Sequence, residues 1–348
     1  MRRILLNVHR WVGLVAGVYV VVISVTGAAL VFRIDLQRAS HPHLFTASEG
    51  ATADPEAIMD SVARAYPGHR LSGVDAPTTT RPTYLAYVTS AGAFKTVLVD
   101  PVSAHVLGEL PERTAVRMLQ DLHFDLLTGR TGRTVNGVGA IALIVLAVTG
   151  LVEWSRRGWQ RVPTRSWREL HRTVGIFTVL LLLMWAVTGV YFTFPATFRS
   201  LIGRFSSLSV SRTPASHCPS TTEKCAATAP SWRSVLDVAQ QRRPGAHIAR
   251  VVLPLGDRGS WLVMFTDRQP TPAYTELDSV YVDQYSATVI EVEEQRASAG
   301  DRMTRAIAPL HVGAFGGMPM RSVWFVFGLA PSVLALTGTI IYFRRGTR

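Results

Sequence analysis

His9-Arg10-Trp11-Val12-Gly13 stands at the mouth of the first apolar run, and the chain returns to it as His171-Arg172-Thr173-Val174-Gly175. In each copy a Thr-Gly pair follows 17 residues after the histidine: Thr26-Gly27 and Thr188-Gly189. A second pattern repeats. His123 is followed by Gly129, Thr149-Gly150 and Trp154-Ser155-Arg156-Arg157-Gly158. His311 is followed by Gly317, Thr337-Gly338 and Tyr342-Phe343-Arg344-Arg345-Gly346, every match at an offset of 188. The chain reads as a duplicated two-span membrane unit with one histidine at the head of each apolar segment.

The 348 residues are 48% hydrophobic, and the mean hydropathy is positive. Charge-free windows at 11–32, 134–152, 173–198 and 322–343 each approach the roughly 20 apolar residues that a membrane span needs. The first is expected to stay as a span: its apolar run is longer than that of a signal peptide, and its pattern recurs inside the chain. A net charge of +12 invites a nucleic-acid reading. That reading is rejected, because the arginines flank the spans and no nucleic-acid motif is present. Arg2, Arg3 and Arg10, then Arg156, Arg157, Arg161, Arg165, Arg168 and Arg172, then Arg344, Arg345 and Arg348 mark three segments as cytoplasmic. Both termini then lie inside, and the two long segments lie outside.

The outside segments repeat an α+β pattern. Residues 55–66 read as a helix before Pro67-Gly68, and 84–88 and 94–99 as strands. Asp100-Pro101 reads as a turn, and a third strand begins at 105–107. In the second segment 231–241 reads as a helix, 248–253 and 261–265 as strands, and 282–290 lines up with 99–107. The expected division is therefore 1–34 (first span), 35–121 (first module), 122–154 (His123 segment and second span) and 155–170 (cytoplasmic loop). It continues with 171–198 (third span), 199–308 (second module) and 309–348 (His311 segment and fourth span). The only two cysteines, Cys218 and Cys225, fall in the second module. An oxidising compartment favours a local disulfide there. No Cys-x-x-Cys-His occurs, so covalent c-type haem is excluded.

At this point the chain resembles the PepSY-associated transmembrane family of bacterial iron-regulated membrane proteins and siderophore-iron reductases. The resemblance rests on His9-Arg10-Trp11-x-Gly13, Thr26-Gly27, Tyr66-Pro67-Gly68, Val99-Asp100-Pro101, Leu122-His123, His171-Arg172, Leu310-His311-x-Gly313 and Gly316-Gly317. It implies two small PepSY-like periplasmic modules on a four-helix membrane core in the bacterial inner membrane. For the reductase members it implies two b-type haems held by histidine and a ferric siderophore as electron acceptor.

The histidines carry the chemistry that the residues themselves suggest, because an ionisable ring at a membrane segment is a functional candidate. His9 and His171 enter their spans from one face, and His123 and His311 from the other. Equal depth pairs His9 with His171 and His123 with His311, since one iron cannot bridge a bilayer about 30 Å thick. Zinc wants more ligands than either pair offers. A haem iron needs only two from the protein. Gly13 and Gly175, one turn after His9 and His171, are candidates to let a macrocycle lie against the helix, or else serve close packing. The four Thr-Gly pairs read as packing. His105, His69, His217 and His247 carry no repeated signal, His41-Pro42-His43 reads as a solvated loop, and Trp185 reads as packing.

The leading expectation is a di-haem oxidoreductase passing electrons from a quinol or a cytoplasmic reductase to a periplasmic acceptor. No nucleotide or flavin fingerprint is present. A non-catalytic PepSY binding or regulatory protein is the alternative, and an iron or siderophore transporter ranks third, because no carboxylate or broken-helix signal is evident inside the spans. Reporter fusions after residues 60 and 240 should both score outside the membrane, and a cytoplasmic score at either breaks the four-span reading.

Overall fold

The computed structural model describes residues 2–90, 92–156, 166–208, 213–218, 230–267, 277–293 and 298–344. Arg157, Arg161, Arg165, Cys225, Arg345 and Arg348 lie outside the described residues. The chain divides into two compact units. One comprises Met1–Arg33, Arg113–Leu208 and Ser298–Arg348; the other comprises Ile34–Glu112 and Ser209–Ala297.

The first unit is helical, and four of its helical stretches are long and apolar enough to cross a membrane: Arg3–Leu30, Arg130–Ser155, Trp167–Thr193 and Gly317–Phe343. They belong to α1 (Arg2–Leu30), α5 (Arg130–Ser155), α6 (Trp167–Thr193) and the pair α10 (Gly317–Gly328) and α11 (Ala330–Phe343). The helix α6 starts before His171, on a reciprocal capping box between Ser166 and Glu169. It stops at Thr193, short of the expected 198, because Pro195 supplies no amide donor and begins α7 (Pro195–Ile202). The fourth span is broken at Leu329, where the sequence reading treats it as continuous. Pro331 interrupts the ladder, and Ser24 of α1 fills the gap. Its hydroxyl donates to Gly328 O at 2.6 Å and lies 3.3 Å from the amide of Ser332.

His123 and His311 do not lie on the spans that follow them. They sit near the ends of separate short helices, α4 (Ala115–Asp125) and α9 (Ala299–Val312). The first turns out of its helix through Leu126 and Leu127, both left-handed at φ 53° and 61°. The second turns at Gly313, φ 71°, where a methyl would meet the Trp324 ring at 2.7 Å. These helices belong to the helical unit, so the modules are shorter than the expected 35–121 and 199–308.

The second unit is built on one antiparallel sheet in the order β4-β3-β2-β1-β5-β6-β7-β8. Its strands are β1 (Arg70–Asp75), β2 (Tyr84–Ser90), β3 (Ala93–Val99), β4 (Val106–Leu110), β5 (His247–Val252), β6 (Ser260–Thr266), β7 (Asp278–Asp283) and β8 (Val289–Glu293). The two expected modules therefore share a single sheet, joined by β1 and β5 through Gly73↔Val252, Val74↔Val251 and Asp75↔Arg250. The helices α3 (Pro55–Ala65) and α8 (Trp232–Arg242) supply Ile58, Met59 and Val62, and Val235, Leu236 and Ala239, to its hydrophobic core.

Matching turns close β3 and β7. Asp100 Oδ1 accepts from the amides of Val102 and Ser103 and from the Ser103 hydroxyl, and Oδ2 from the amide of Ser48. Asp283 repeats this with Tyr285, Ser286 and the amide of His217. Burial raises both carboxyls, and these hydrogen bonds outweigh it and hold each below the usual carboxylate range. The β1–β5 seam carries its own lock. Arg250 reaches Asp75 with two nitrogens, at 2.5 and 2.7 Å, and Tyr87 donates to the same carboxylate at 2.8 Å. Asp75 is 2% exposed. Removing it takes away the buried carboxylate that receives both Arg250 and Tyr87, worth about 2 kcal/mol once the partial exposure of Arg250 is allowed for. Asp75→Ala in the full chain should accelerate amide hydrogen exchange across β1 and β5 by roughly thirtyfold, while exchange in β4 and β8 changes little.

Candidate functional site

The four histidines of the sequence reading meet in two pairs inside the helical unit. The ring centres of His9 and His171 are 6.2 Å apart with perpendicular planes, and those of His123 and His311 are 6.4 Å apart at 57°. All four rings are partly buried. Among the described residues no three of His, Cys, Asp or Glu converge, so each pair stands as a two-donor set.

Each ring is tied down by a threonine, a contact the sequence reading does not anticipate. His9 Nδ1 lies 2.9 Å from Thr149 Oγ1, and His171 Nδ1 lies 2.9 Å from Thr337 Oγ1. His123 Nδ1 lies 3.1 Å from Thr26 Oγ1, and His311 Nδ1 lies 2.7 Å from Thr188 Oγ1. Those are the threonines of the four Thr-Gly pairs. Packing is therefore only part of what the pairs do. The glycine after three of them gives the ring room. A methyl at Gly27 would stand 2.7 Å from His123 Cε1, and methyls at Gly150 and Gly338 would stand 3.3 and 3.4 Å from the Cε1 atoms of His9 and His171. Gly189 differs, since a methyl there would meet Ala140 instead. The signal was present as a fixed spacing. It misleads because Thr26, placed after His9 in sequence, serves His123 at the other end of its span.

The histidine backbones at the second pair are held as well. Asn136 Nδ2 donates to His123 O at 2.7 Å, and Trp185 Nε1 donates to His311 O at 3.0 Å. Trp324 Nε1 donates to Leu310 O at 2.8 Å and packs edge-on against Trp185. Trp185 thus has a specific hydrogen bond beyond packing. Gly13 and Gly175 face Leu146 and Leu334, which a methyl would meet at 3.5 and 3.7 Å. Each lies one turn after the histidine of its own helix, and a methyl at either would make ordinary contact with its leucine. Cys218 is disulfide-bonded. The other predicted member of that bridge, Cys225, is outside the described residues.

The family description "PepSY-associated TM region" matches residues 6–345. The chain belongs to the PepSY-associated TM family. No curated protein matches it. Family membership accords with the four apolar helices and the sheet-bearing second unit, and it covers all four histidines and all four threonines of the site.

The pairing can be checked without any ligand. In full-length protein cut at a protease site inserted between residues 156 and 166, a short thiol cross-linker should join the halves when His9→Cys is combined with His171→Cys. The same holds for His123→Cys with His311→Cys. His9→Cys with His311→Cys should leave the halves separable.

Proposed function

We propose that the protein is a di-haem inner-membrane oxidoreductase, built from a duplicated two-span unit, that carries electrons across the membrane to an outside acceptor. The observation that carries this reading is the spacing of the two histidine pairs. Two imidazoles on opposite sides of one metal ion, each nitrogen about 2 Å from it, have ring centres about 6 Å apart, and both pairs stand at that separation. Two nitrogen donors alone make a poor zinc site, whereas a haem iron takes its remaining ligands from the macrocycle. The donor sets therefore fit b-type haem: His9 and His171 would hold one, and His123 and His311 the other. Such a group, when bound, would supply a one-electron couple.

The residues of the chain do the rest. Thr149 and Thr26 stand beside His9 and His123 within the first half, as do Thr337 and Thr188 beside His171 and His311 in the second. His9 and Thr26 are both on α1, and 17 residues of helix rise about 25 Å. That supports one pair near each face of a bilayer whose apolar core is about 30 Å thick. With Arg3, Arg10, Arg156, Arg168 and Arg172 on the cytoplasmic side, His9 and His171 would hold their haem toward a quinol or a cytoplasmic reductase as donor. His123 and His311 would hold the second haem toward the outside, where the family resemblance suggests a ferric siderophore as acceptor. The sheet unit then lies in the periplasm and both termini in the cytoplasm.

His9→Ala and His171→Ala should lose the same haem, and His123→Ala and His311→Ala the other, read as haem per chain and as reduced-minus-oxidised spectra. The His9→Ala/His171→Ala double variant should be little worse than either single one, because the two residues act as one unit. Loss of the same haem in His9→Ala and His123→Ala contradicts the pairing. Four colourless variants of a colourless parent favour the binding or regulatory reading.

A further inference from the structure

The threonines decide which nitrogen of each histidine is free. A threonine hydroxyl has one proton to give. In all four residues a backbone carbonyl one turn back sits close enough to take it: Val145 O for Thr149 at 2.6 Å, Val333 O for Thr337 at 2.7 Å, Val22 O for Thr26 at 2.7 Å and Met184 O for Thr188 at 2.8 Å. A hydroxyl turned toward the ring instead would leave two oxygens at those separations with no proton between them. Each hydroxyl therefore donates to its own helix and accepts from the imidazole. The histidine Nδ1 must carry the hydrogen, and in a neutral ring the lone pair is then on Nε2.

We propose that Thr26, Thr149, Thr188 and Thr337 are positioning residues that hold the four histidines as Nδ1–H tautomers and so reserve each Nε2 for a metal, a role that rests on the haem-ligand reading. A histidine that ligates through one nitrogen commonly donates its other N–H to a fixed acceptor, and that outer contact orients the ring. Here the acceptor is a neutral hydroxyl, so the ligand stays a neutral imidazole and no charge is added inside the bundle. The wiring is also local. Thr149 and Thr26 hold His9 and His123 in the first half, and Thr337 and Thr188 hold His171 and His311 in the second. Each half thus presets one ligand of each pair, and the rings meet only between halves. Gly27, Gly150 and Gly338 keep the Cε1 edge of three rings close to the helix that bears the threonine.

The test uses the full chain in lipid nanodiscs, with Thr149→Val and Thr188→Val against Thr149→Ser and Thr188→Ser. Valine keeps the volume and removes the acceptor; serine restores it. In protein made by a host unable to synthesise haem, 15N-histidine NMR should show protonated Nδ1 on the four rings. Thr149→Val should raise the share of the Nε2–H form at His9, while Thr149→Ser leaves it unchanged. In haem-replete protein Thr149→Val should weaken haem retention at the His9/His171 site by about 10- to 100-fold and shift its low-spin electron paramagnetic resonance signal. The His123/His311 site should be unchanged, and Thr149→Ser should behave as wild type. Thr188→Val should show the reverse selectivity. Unaltered tautomer, haem retention and resonance signal in both valine variants overturn the proposal. Nδ1–H tautomers in a chain that takes up no added haem overturn the haem reading and the metal-positioning role with it, while leaving the tautomer assignment standing.

Discussion

An imidazole inside an apolar helix bundle needs a partner for the nitrogen it does not use, and here that partner is always a threonine on another helix. Leaving such a group unpaired costs roughly 1–3 kcal/mol, so the His–Thr contact constrains helix packing as well as the ring. It fixes α1 against α4 and α5, and α6 against α9 and α11. The glycines beside three of the threonines follow from the same constraint, because a methyl there would press on the ring.

The rest of the helical unit is arranged around these contacts. His123 and His311 are not carried by spans. They sit at the ends of α4 and α9, whose chain reversals depend on left-handed residues, Leu126 and Leu127 in one and Gly313 in the other. The carbonyls of those helix ends are capped from the spans by Asn136, Trp185 and Trp324. The two halves differ here: a compact amide holds the His123 backbone and an indole holds that of His311. The sheet unit has a separate logic. Its core is a continuous apolar face under two helices, and its centre is a β1–β5 seam held by main-chain pairing and the Asp75–Arg250–Tyr87 contact.

Much of this was legible in the sequence, and the exceptions have physical causes. The spans appear as charge-free windows because a bilayer tolerates little else. The pairing of His9 with His171 and of His123 with His311 follows from span direction and repeat position. Strand β1 was missed because a bulge between Leu71 and Gly73 breaks its alternation, so that Leu71 and Val74 both reach the core. That glycine is needed: a methyl would stand 3.0 Å from Val251 O. The union of both modules in one sheet was hidden because β1 finds β5 far along the chain. The break at Leu329 has a visible cause in Pro331, but its filling by Ser24 is a tertiary contact. The threonines were seen and misread, because their regular spacing from one histidine concealed service to another. Gly13 and Gly175, candidates for a haem contact, have Leu146 and Leu334 as their nearest side chains.

The central claim is that the two histidine pairs are axial ligand sets. The most direct measurement is the absorption spectrum of detergent-purified, haem-replete wild-type protein, oxidised and then reduced with dithionite, with haem determined against protein. Two b-type haems per chain are expected, both low-spin and six-coordinate in each oxidation state. A colourless protein, or one haem of open coordination, contradicts it.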